Sequence, residues 1–299
     1  MSNKMDIIAW QKIMKYGPLL VLSCIWGMAF VAIRYADFEL SPINLTLLRW
    51  LLASAGFLAI APLLLKPKTK LERRDVLRLV AISLLNVPAY HLSLNFAEKS
   101  VSSGLASFLT SLGPIFMAVL SGFLLNEKIS RRLIFAIAVG IAGTVILAFP
   151  DMTLGGSIVG PLLVLLAALS YAMFTVLSKP LVHKYGSAPV TIWAGLIGTG
   201  TLLPLLVPSG FFSAVSSLSF NGWASVLFLA LFSTVVGYLM FFTFVGRGNV
   251  SRLSVQMYLI PIVSTIGGIL LLQEGLNLFT VVGGAILLFS VWLATQARS

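Results

Sequence analysis

Residues 114–127 read PIFMAVLSGFLLNE and residues 261–274 read PIVSTIGGILLLQE, so a proline and a glutamate stand thirteen positions apart in both stretches. The two stretches close the long apolar runs 102–125 and 251–272, which lie in different halves of a 299-residue chain. A helix needs about 20 apolar residues to cross the roughly 30 Å hydrocarbon core of a bilayer. The pair therefore predicts membrane helices that belong to two related halves.

Apolar runs of this kind continue along the whole chain. Apolar residues make up 59% of it, charged residues make up 10%, and the mean hydropathy is +1.02, which excludes an ordinary soluble domain. We predict an all-α integral membrane protein, because long runs without alternation argue against a β-barrel. The ten predicted transmembrane helices cover residues 18–35, 43–64, 76–97, 102–125, 133–149, 158–179, 189–207, 223–245, 251–272 and 278–294.

The basic residues predict the orientation of these helices. Of the 20 lysines and arginines, 17 fall in the N-terminal arm, at the C-terminus, or in and beside the loops that follow even-numbered helices. The opposite side keeps Arg34 and Lys99, and Arg49 lies within the second helix. Cytoplasmic loops carry this excess of positive charge, so both termini are predicted to be cytoplasmic. The bias also accounts for the net charge of +11 without a nucleic-acid partner.

Further matched positions extend the repeat. Tyr90 precedes Pro114 by 24 residues and Tyr238 precedes Pro261 by 23, while WGMAFVAIR at 26–34 corresponds to YAMFTVLSK at 171–179. We predict a cytoplasmic N-terminal arm, 1–16, followed by repeats at 17–149 and 157–296. Because each repeat has five helices, the second must enter the membrane inverted, and inverted halves can open a central site alternately to each side.

The run SSGLASFLTSLGPIFMAVLSGFLLNEKIS at 102–130, its partner SRLSVQMYLIPIVSTIGGILLLQEGL at 251–276 and the opening WGMAFVAIRYA at 26–36 resemble the EamA-type drug/metabolite transporter (DMT) superfamily over nearly the whole chain. The resemblance implies a ten-helix, multi-pass exporter in the bacterial inner membrane. It is similar to bacterial exporters of aromatic amino acids and paraquat, of the YddG type. Two positions depart from strict symmetry: Arg49 has no basic counterpart near Leu196, and Ala136 stands where the second half has Gly283.

Candidate substrate-binding residues are aromatic or polar groups within the predicted helices. Aromatic rings suit amphipathic substrates and attract ammonium groups, and polar groups at this depth are costly unless they face protein or water. For each of them, helix packing or a satisfied structural hydrogen bond is the alternative reading. The candidates are Trp26, Tyr90, His91, Asn95, Ser107, Ser111, Tyr171, Trp193, Tyr238, Gln256 and Tyr258.

Three further residues receive distinct predicted roles. Pro114 and Pro261 each free a backbone carbonyl, so they are predicted to act as hinges or gates, with passive kinking as the alternative. Arg49 is placed in the outer vestibule, where it either receives a substrate carboxylate or braces the vestibule by hydrogen bonds. The cavity is expected between helices one, three, four, six, eight and nine.

The sequence favours transport over catalysis. No two acids cluster within a helix, G-x-S-x-G is absent and the chain has two histidines, so no enzyme, metal or cofactor is predicted. The predicted partners are a small-molecule substrate and the lipid bilayer, and the oligomeric state is left open. Because no acid falls in mid-helix, facilitative export of amino acids is preferred; the alternatives are a proton-coupled multidrug or cation antiporter acting through His91, and a channel or non-transporting membrane subunit.

Overall fold

The computed structural model describes residues 2–65, 71–125, 130–153, 157–246 and 250–296, and within them it is helical with no β-strand. A short helix, Phe211–Ser216, stands between the seventh and eighth long helices. The ten long helices are α1 Ser2–Ala36, α2 Pro42–Leu64, α3 Arg73–Glu98, α4 Ser103–Leu124, α5 Arg131–Thr153, α6 Val159–Tyr185, α7 Ser187–Leu205, α8 Phe220–Phe244, α9 Val250–Leu272 and α10 Leu278–Gln296.

The prediction of an all-helical membrane protein is confirmed. Across the described residues, nine stretches are long and apolar enough to cross a bilayer by length and composition, and α9 contributes the shorter apolar stretch Tyr258–Leu272. The arm 1–16 was expected to precede the first membrane helix, and the structure makes α1 begin at Ser2. The cytoplasmic position of the two termini stays a prediction.

Serines fix the starts of three helices. Ser41 accepts a hydrogen bond from the backbone N of Asn44 at 3.2 Å, and Pro42 occupies the first turn of α2. Ser102 caps α4 and Ser219 caps α8 in the same way, each at 3.1 Å. A serine at this position satisfies one of the free N–H groups of a first turn. The residue at which each of these three helices begins is therefore set by the sequence around its first turn.

The third helix of each half contains a widened turn. Residues Leu85–Leu92 of α3 and Phe228–Val236 of α8 form π-helix, which is rare and inserts an extra residue per turn. Pro88 lies within the first of these segments. Both widened turns lie within the third helix of their half, but the first begins five residues before Tyr90 and the second begins ten residues before Tyr238.

The helix packing has the pattern that two equivalent halves require. Helices α1 to α5 of the first half correspond in order to α6 to α10 of the second. The contact between α1 and α9 has its counterpart in the contact between α6 and α4. In the same way, the contact between α2 and α8 has its counterpart in the contact between α7 and α3. The pairs α5–α10, α2–α7 and α4–α9 each join a helix to its own counterpart. Exchanging the halves therefore reproduces these contacts.

Polar contacts tie both ends of this bundle. At one end, Lys184 lies 2.6 Å from a carboxylate oxygen of Asp75 and 2.7 Å from one of Glu72, which joins α6 to the start of α3. Hydrogen bonds from Lys184 and Arg74 lower the pKa of Glu72. At the other end, Glu274 accepts bonds from the backbone N of Ser103 at 2.9 Å and its hydroxyl at 2.7 Å. A carboxylate is stabilised there because the helix N-terminus is electropositive.

Asp37 lies at the same end as Glu274 and is buried without a hydrogen bond to either carboxylate oxygen among the described residues. Lys99 approaches it to 4.0 Å, but its ammonium group donates to the backbone carbonyls of Asp37 and Leu40. Burial raises the pKa of Asp37 to about 7, against the opposing charges of Lys99 and Arg34. The ordinary pKa of an aspartic acid is 3.8. Between about pH 3.8 and pH 7 the folded protein therefore keeps Asp37 protonated, while the unfolded chain has released this proton.

This burial predicts a pH-dependent stability. The protonated, buried carboxyl of Asp37 stabilises the folded protein. This stabilisation is fully present below pH 3.8, the pKa in the unfolded chain, and is lost as the pH rises through about 7, the pKa in the folded protein. Its upper limit is about 4 kcal/mol. We expect Asp37→Asn to melt at a higher temperature than the wild type at pH 8.5 and to lose that advantage at pH 5. Thermal unfolding of the detergent-solubilised protein at both pH values measures this.

The matched control for this prediction is Glu39→Gln. It removes a carboxylate two residues away whose oxygens are exposed and accept from Ser219 at 2.6 and 2.7 Å. Its effect on the melting temperature is expected to be the same at both pH values. An Asp37→Asn protein with an equally pH-independent effect would show that Asp37 is ionised in the folded protein throughout this range.

Candidate substrate-binding site

A cavity of about 70 Å³ lies at the centre of the bundle. The six helices expected from the sequence all line it, and α2 joins them through Arg49. Among the candidate residues, seven line the cavity: Trp26, Arg49, Tyr90, His91, Ser111, Tyr171 and Tyr238. The remaining wall is apolar or small, from Ala29, Phe30, Ile33, Leu94, Thr110, Gly113, Ala168, Ser233 and Ile260.

Aromatic rings from four helices form one wall of the cavity. The ring centroid of Trp26 lies 6.3 Å from that of Tyr171 and 6.0 Å from that of Tyr238, both edge to face, and Tyr90 lies 5.3 Å from Tyr171. The indole N–H of Trp26 donates to the backbone carbonyl of Ser233 at 3.0 Å, within the widened turn of α8. These contacts fix the rings relative to one another and present π faces to a ligand.

A polar chain runs behind this wall. The hydroxyl of Tyr238 donates to Oδ1 of Asn86 at 2.9 Å, so it accepts from Nε2 of His91 at 3.3 Å, which assigns the ring proton to Nε2. The other ring nitrogen, Nδ1, has no partner among the described residues. The ring of Trp50 stands edge to face against His91 at 5.0 Å. Helices α2, α3 and α8 are thereby held together at the cavity.

Arg49 closes another side of the cavity and is 3% exposed. Its Nε donates to the hydroxyl of Thr234 at 2.9 Å and its Nη2 donates to the hydroxyl of Ser233 at 3.2 Å. Both partners lie in the widened turn Phe228–Val236 of α8. The sequence placed this residue in an outer vestibule, and the structure places it on the central cavity.

The other candidates lie away from the cavity. Asn95 donates to the hydroxyl of Thr46 at 2.8 Å, and Ser107 donates to the carbonyl of Gly104 at 2.7 Å, so both serve packing within the bundle. Trp193 stacks edge to face on Tyr185 at 5.6 Å, near one end of the bundle. Tyr258 packs against the main apolar core. Gln256 falls outside the residues whose side chains the structure describes.

The two prolines occupy different local structures. Helix α4 is interrupted at Ser111 and Leu112, and Pro114 stands in the first turn of the segment that resumes at Gly113. Pro261 lies inside the continuous helix Val250–Leu272. A proline is tolerated without loss at the first turn but removes a bond in the interior of a helix. In this conformation the halves therefore differ at the positions predicted to be hinges.

Three residues at the site were not predicted. Ser233 and Thr234 stand side by side in an apolar run, and their joint contact with Arg49 depends on a widened turn that has no simple sequence signature. Trp50 follows Arg49 directly and is 1% exposed behind the cavity. The sequence feature that could have predicted a role for Trp50 is its place directly after Arg49, an arginine within an apolar helix.

The cavity offers several kinds of polar and aromatic contact to a ligand. It offers hydroxyls, an imidazole, a guanidinium and π faces, and within the described part of the chain no group of three or more His, Cys, Asp or Glu could hold a metal ion. A cavity of 70 Å³ holds only a few waters, since each needs about 10–15 Å³. A ligand larger than a few waters therefore needs more space than the cavity has in this conformation.

Comparison with known proteins shows the class of protein to which this chain belongs. The chain matches the EamA-like transporter family over residues 15–149 and again over 158–296, once for each half. It therefore belongs to that family, within the DMT superfamily. An uncharacterized transporter of Archaeoglobus fulgidus is 34% identical over 95% of this chain and 99% of its own length.

Two more distant similarities complete the comparison. A protein named a probable terminal-alkyne amino-acid exporter, from Streptantibioticus cattleyicolor, is 29% identical over 95% of both chains. A crystal structure that is 17% identical superimposes with a TM-score of 0.66 over 94% of this chain and 96% of its own. The last of these supports the fold alone.

Proposed function

We propose that this EamA transporter exports amino acids and related small metabolites across the bacterial inner membrane, down their gradient and by alternating access. The observation that carries the proposal is the central cavity, which combines the rings of Trp26 and three tyrosines with the guanidinium of Arg49. An α-amino acid presents a carboxylate, an ammonium group and a side chain to such a surface. The relative named as an amino-acid exporter supports the same class of substrate.

The proposed movement follows from the two-half packing. The ends of the bundle are tied by different contacts, Lys184 with Asp75 at one end and Glu274 with Ser103 at the other. Releasing one set while keeping the other opens the cavity to a single side. The break before Pro114 and the helix around Pro261 are the proposed hinges; in this conformation the first helix is interrupted and the second is continuous. The cytoplasmic location of the end at Lys184 rests on the positive charge of its loops.

Proton-coupled antiport is the second candidate, and a specific observation favours it. Glu98 at the end of α3 is fully buried, and neither carboxylate oxygen has a hydrogen-bond partner among the described residues. Arg34 donates to the backbone carbonyl of Glu98 rather than to its carboxylate. Buried acids of this kind serve as proton sites in transporters. For this alternative we therefore propose Glu98, beside Asp37, as the proton site instead of His91.

Uptake into liposomes separates these candidates. Purified protein is reconstituted, and entry of labelled phenylalanine is followed with and without an imposed pH gradient. Saturable entry that is independent of the gradient is expected. Entry that requires the gradient, and loses that requirement in Glu98→Gln, would establish proton coupling instead. Entry that does not saturate would point to a channel, and no entry of any amino acid would refute the proposed substrate class.

A further inference from the structure

Arg49 is the one charged side chain on the wall of the central cavity among the described residues. It sits two turns into α2, is 3% exposed, and is surrounded by residues of the main apolar core such as Leu48 and Trp50. A guanidinium remains protonated under all physiological conditions, so its charge must be balanced within the protein or by what the protein binds.

The protein anchors this guanidinium without neutralising it. Its two hydrogen-bond partners, Ser233 and Thr234, are uncharged hydroxyls. The hydroxyl of Thr234 donates its own hydrogen to the carbonyl of Leu229 at 2.8 Å, which leaves its lone pair directed to Arg49. The anchors therefore hold the group in one orientation. They do not supply the negative charge that normally accompanies a buried cation.

The remaining donors of Arg49 are available to a ligand. Nη1 is buried and has no hydrogen-bond partner among the described residues. Glu98 is the carboxylate that acts on Arg49 through its charge, yet no ion pair joins the two. A guanidinium donates two parallel bonds to a carboxylate, and this arrangement is the strongest that a buried arginine makes. The unpaired edge thus has the geometry and charge for an oxyanion.

We propose that Arg49 is a carboxylate-binding subsite, so that the cavity selects zwitterionic or anionic substrates and rejects purely cationic ones. This rests on the proposed transport function and names the chemical class that the transporter takes. The rings of Trp26, Tyr90 and Tyr171, which line the same cavity, accept the ammonium group or an aromatic side chain. Across the described residues no Asp or Glu lines the cavity, so a dication would meet the charge of Arg49 without a counter-charge.

The second half has no equivalent arginine. Leu196 stands at the position that corresponds to Arg49, and it packs against the main apolar core. The charged contact therefore comes from one half alone, which gives the cavity a single polar orientation for its ligand.

Three probes with one ring and different charges test the subsite: phenylalanine, phenylpropionate and phenethylamine. Their binding to the purified protein is measured by tryptophan fluorescence and by thermal shift, since Trp26 and Trp50 lie at the cavity. The wild type is expected to bind the two carboxylates and to discriminate against the amine by at least about tenfold. This corresponds to one charge-assisted hydrogen bond.

The variants are Arg49→Gln, Arg49→Lys and, as a matched control on the outer surface, Arg132→Gln, which removes an arginine stacked over Trp292. Arg49→Gln should lose about 10-fold to 100-fold in affinity for both carboxylates and keep its weak affinity for the amine. Arg49→Lys, which keeps the buried charge, should retain part of the selectivity even if Arg49→Gln does not fold. The control should bind as the wild type does.

The outcomes distinguish this inference from the transport function on which it rests. Two outcomes would overturn the subsite while phenylalanine uptake into liposomes shows that the protein still transports amino acids. In the first, phenethylamine competes with phenylalanine as well as phenylpropionate does. In the second, Arg49→Gln and Arg49→Lys keep the wild-type preference for carboxylates. A wild type that binds neither carboxylate would also overturn it. Binding of phenylpropionate without transport of any amino acid would instead retain the subsite and refute the proposed substrate.

Discussion

Replacing Gly283 by alanine is expected to lower the melting temperature of the protein sharply and to reduce the amount of folded protein recovered from membranes. Helices α5 and α10 cross at this glycine with their backbones in contact. A Cβ at Gly283 would stand 2.9 Å from the backbone N of Leu147 and 3.1 Å from the carbonyl O of Gly143. Neither is the flexible end of a side chain, so the helices themselves must separate.

The reciprocal substitution gives the same expectation. A Cβ at Gly143 would lie 2.9 Å from the backbone N of Leu287 and 3.1 Å from the carbonyl O of Gly283. Transmembrane helices have no hydrophobic force between them, so close packing of small residues is what stabilises such a crossing. Each alanine should destabilise the protein by about 1–3 kcal/mol, and valine at either position by more.

Gly200→Ala is the matched control for both substitutions. Gly200 lies in helix α7, and nothing stands within 4 Å of an added Cβ. The same change of residue is therefore expected to be neutral or to stabilise the protein by up to about 1 kcal/mol through helix propensity. Melting of the three detergent-solubilised variants provides the comparison. If Gly283→Ala and Gly200→Ala melt at the same temperature, the close approach of α5 and α10 is wrong.

The crossing also shows what the repeat could and could not predict. Proline and glutamate at matched spacing located the two halves, and the family match to each half agrees. The departure at Ala136 and Gly283 has a structural reason. The carbonyl of Ala136 accepts a bond from Ser290 at 2.7 Å, while Gly283 contacts the opposite backbone.

The kinds of residue that line the cavity could be predicted from the sequence. Which of them turn toward the cavity, and which turn toward a neighbouring helix, could not. Rings and hydroxyls are expensive in an apolar helix, and for that reason Trp26, Tyr171 and Ser111 were identifiable from the sequence alone. His91 and Asn95 are four residues apart, a spacing that puts two side chains on the same face of a regular α-helix. The widened turn Leu85–Leu92 changes the angle between them, so His91 faces the cavity and Asn95 reaches Thr46 on α2. A 3.6-residue period does not hold across a π-helix.

The second large effect is expected at Tyr238, where removal of one oxygen atom should nearly abolish transport. Tyr238→Phe keeps the ring that contacts Trp26 at 6.0 Å and deletes the hydroxyl that joins Asn86 to His91. Both partners then lose a hydrogen bond at a position closed to water, since Asn86 is 2% exposed and His91 is 1% exposed. A buried polar group left unsatisfied costs about 1–3 kcal/mol.

That loss should fall on transport as well as on stability, because the same hydroxyl couples α8 to α3 beside the cavity. We expect an initial rate of phenylalanine uptake at least about tenfold below that of the wild type, from protein that still elutes as a single folded species. Tyr35→Phe is the control, since its hydroxyl accepts from Asn221 at 3.2 Å on the exposed surface and should be dispensable.

A double substitution decides whether the effect arises from the unsatisfied partner. Asn86→Leu removes the acceptor that Tyr238→Phe leaves without a donor, so the combined variant should lose less than the sum of the two single losses. Additive losses would mean that the hydroxyl acts on the substrate directly rather than through Asn86. Wild-type uptake by Tyr238→Phe alone would show that the polar chain behind the aromatic wall has no part in the transport cycle.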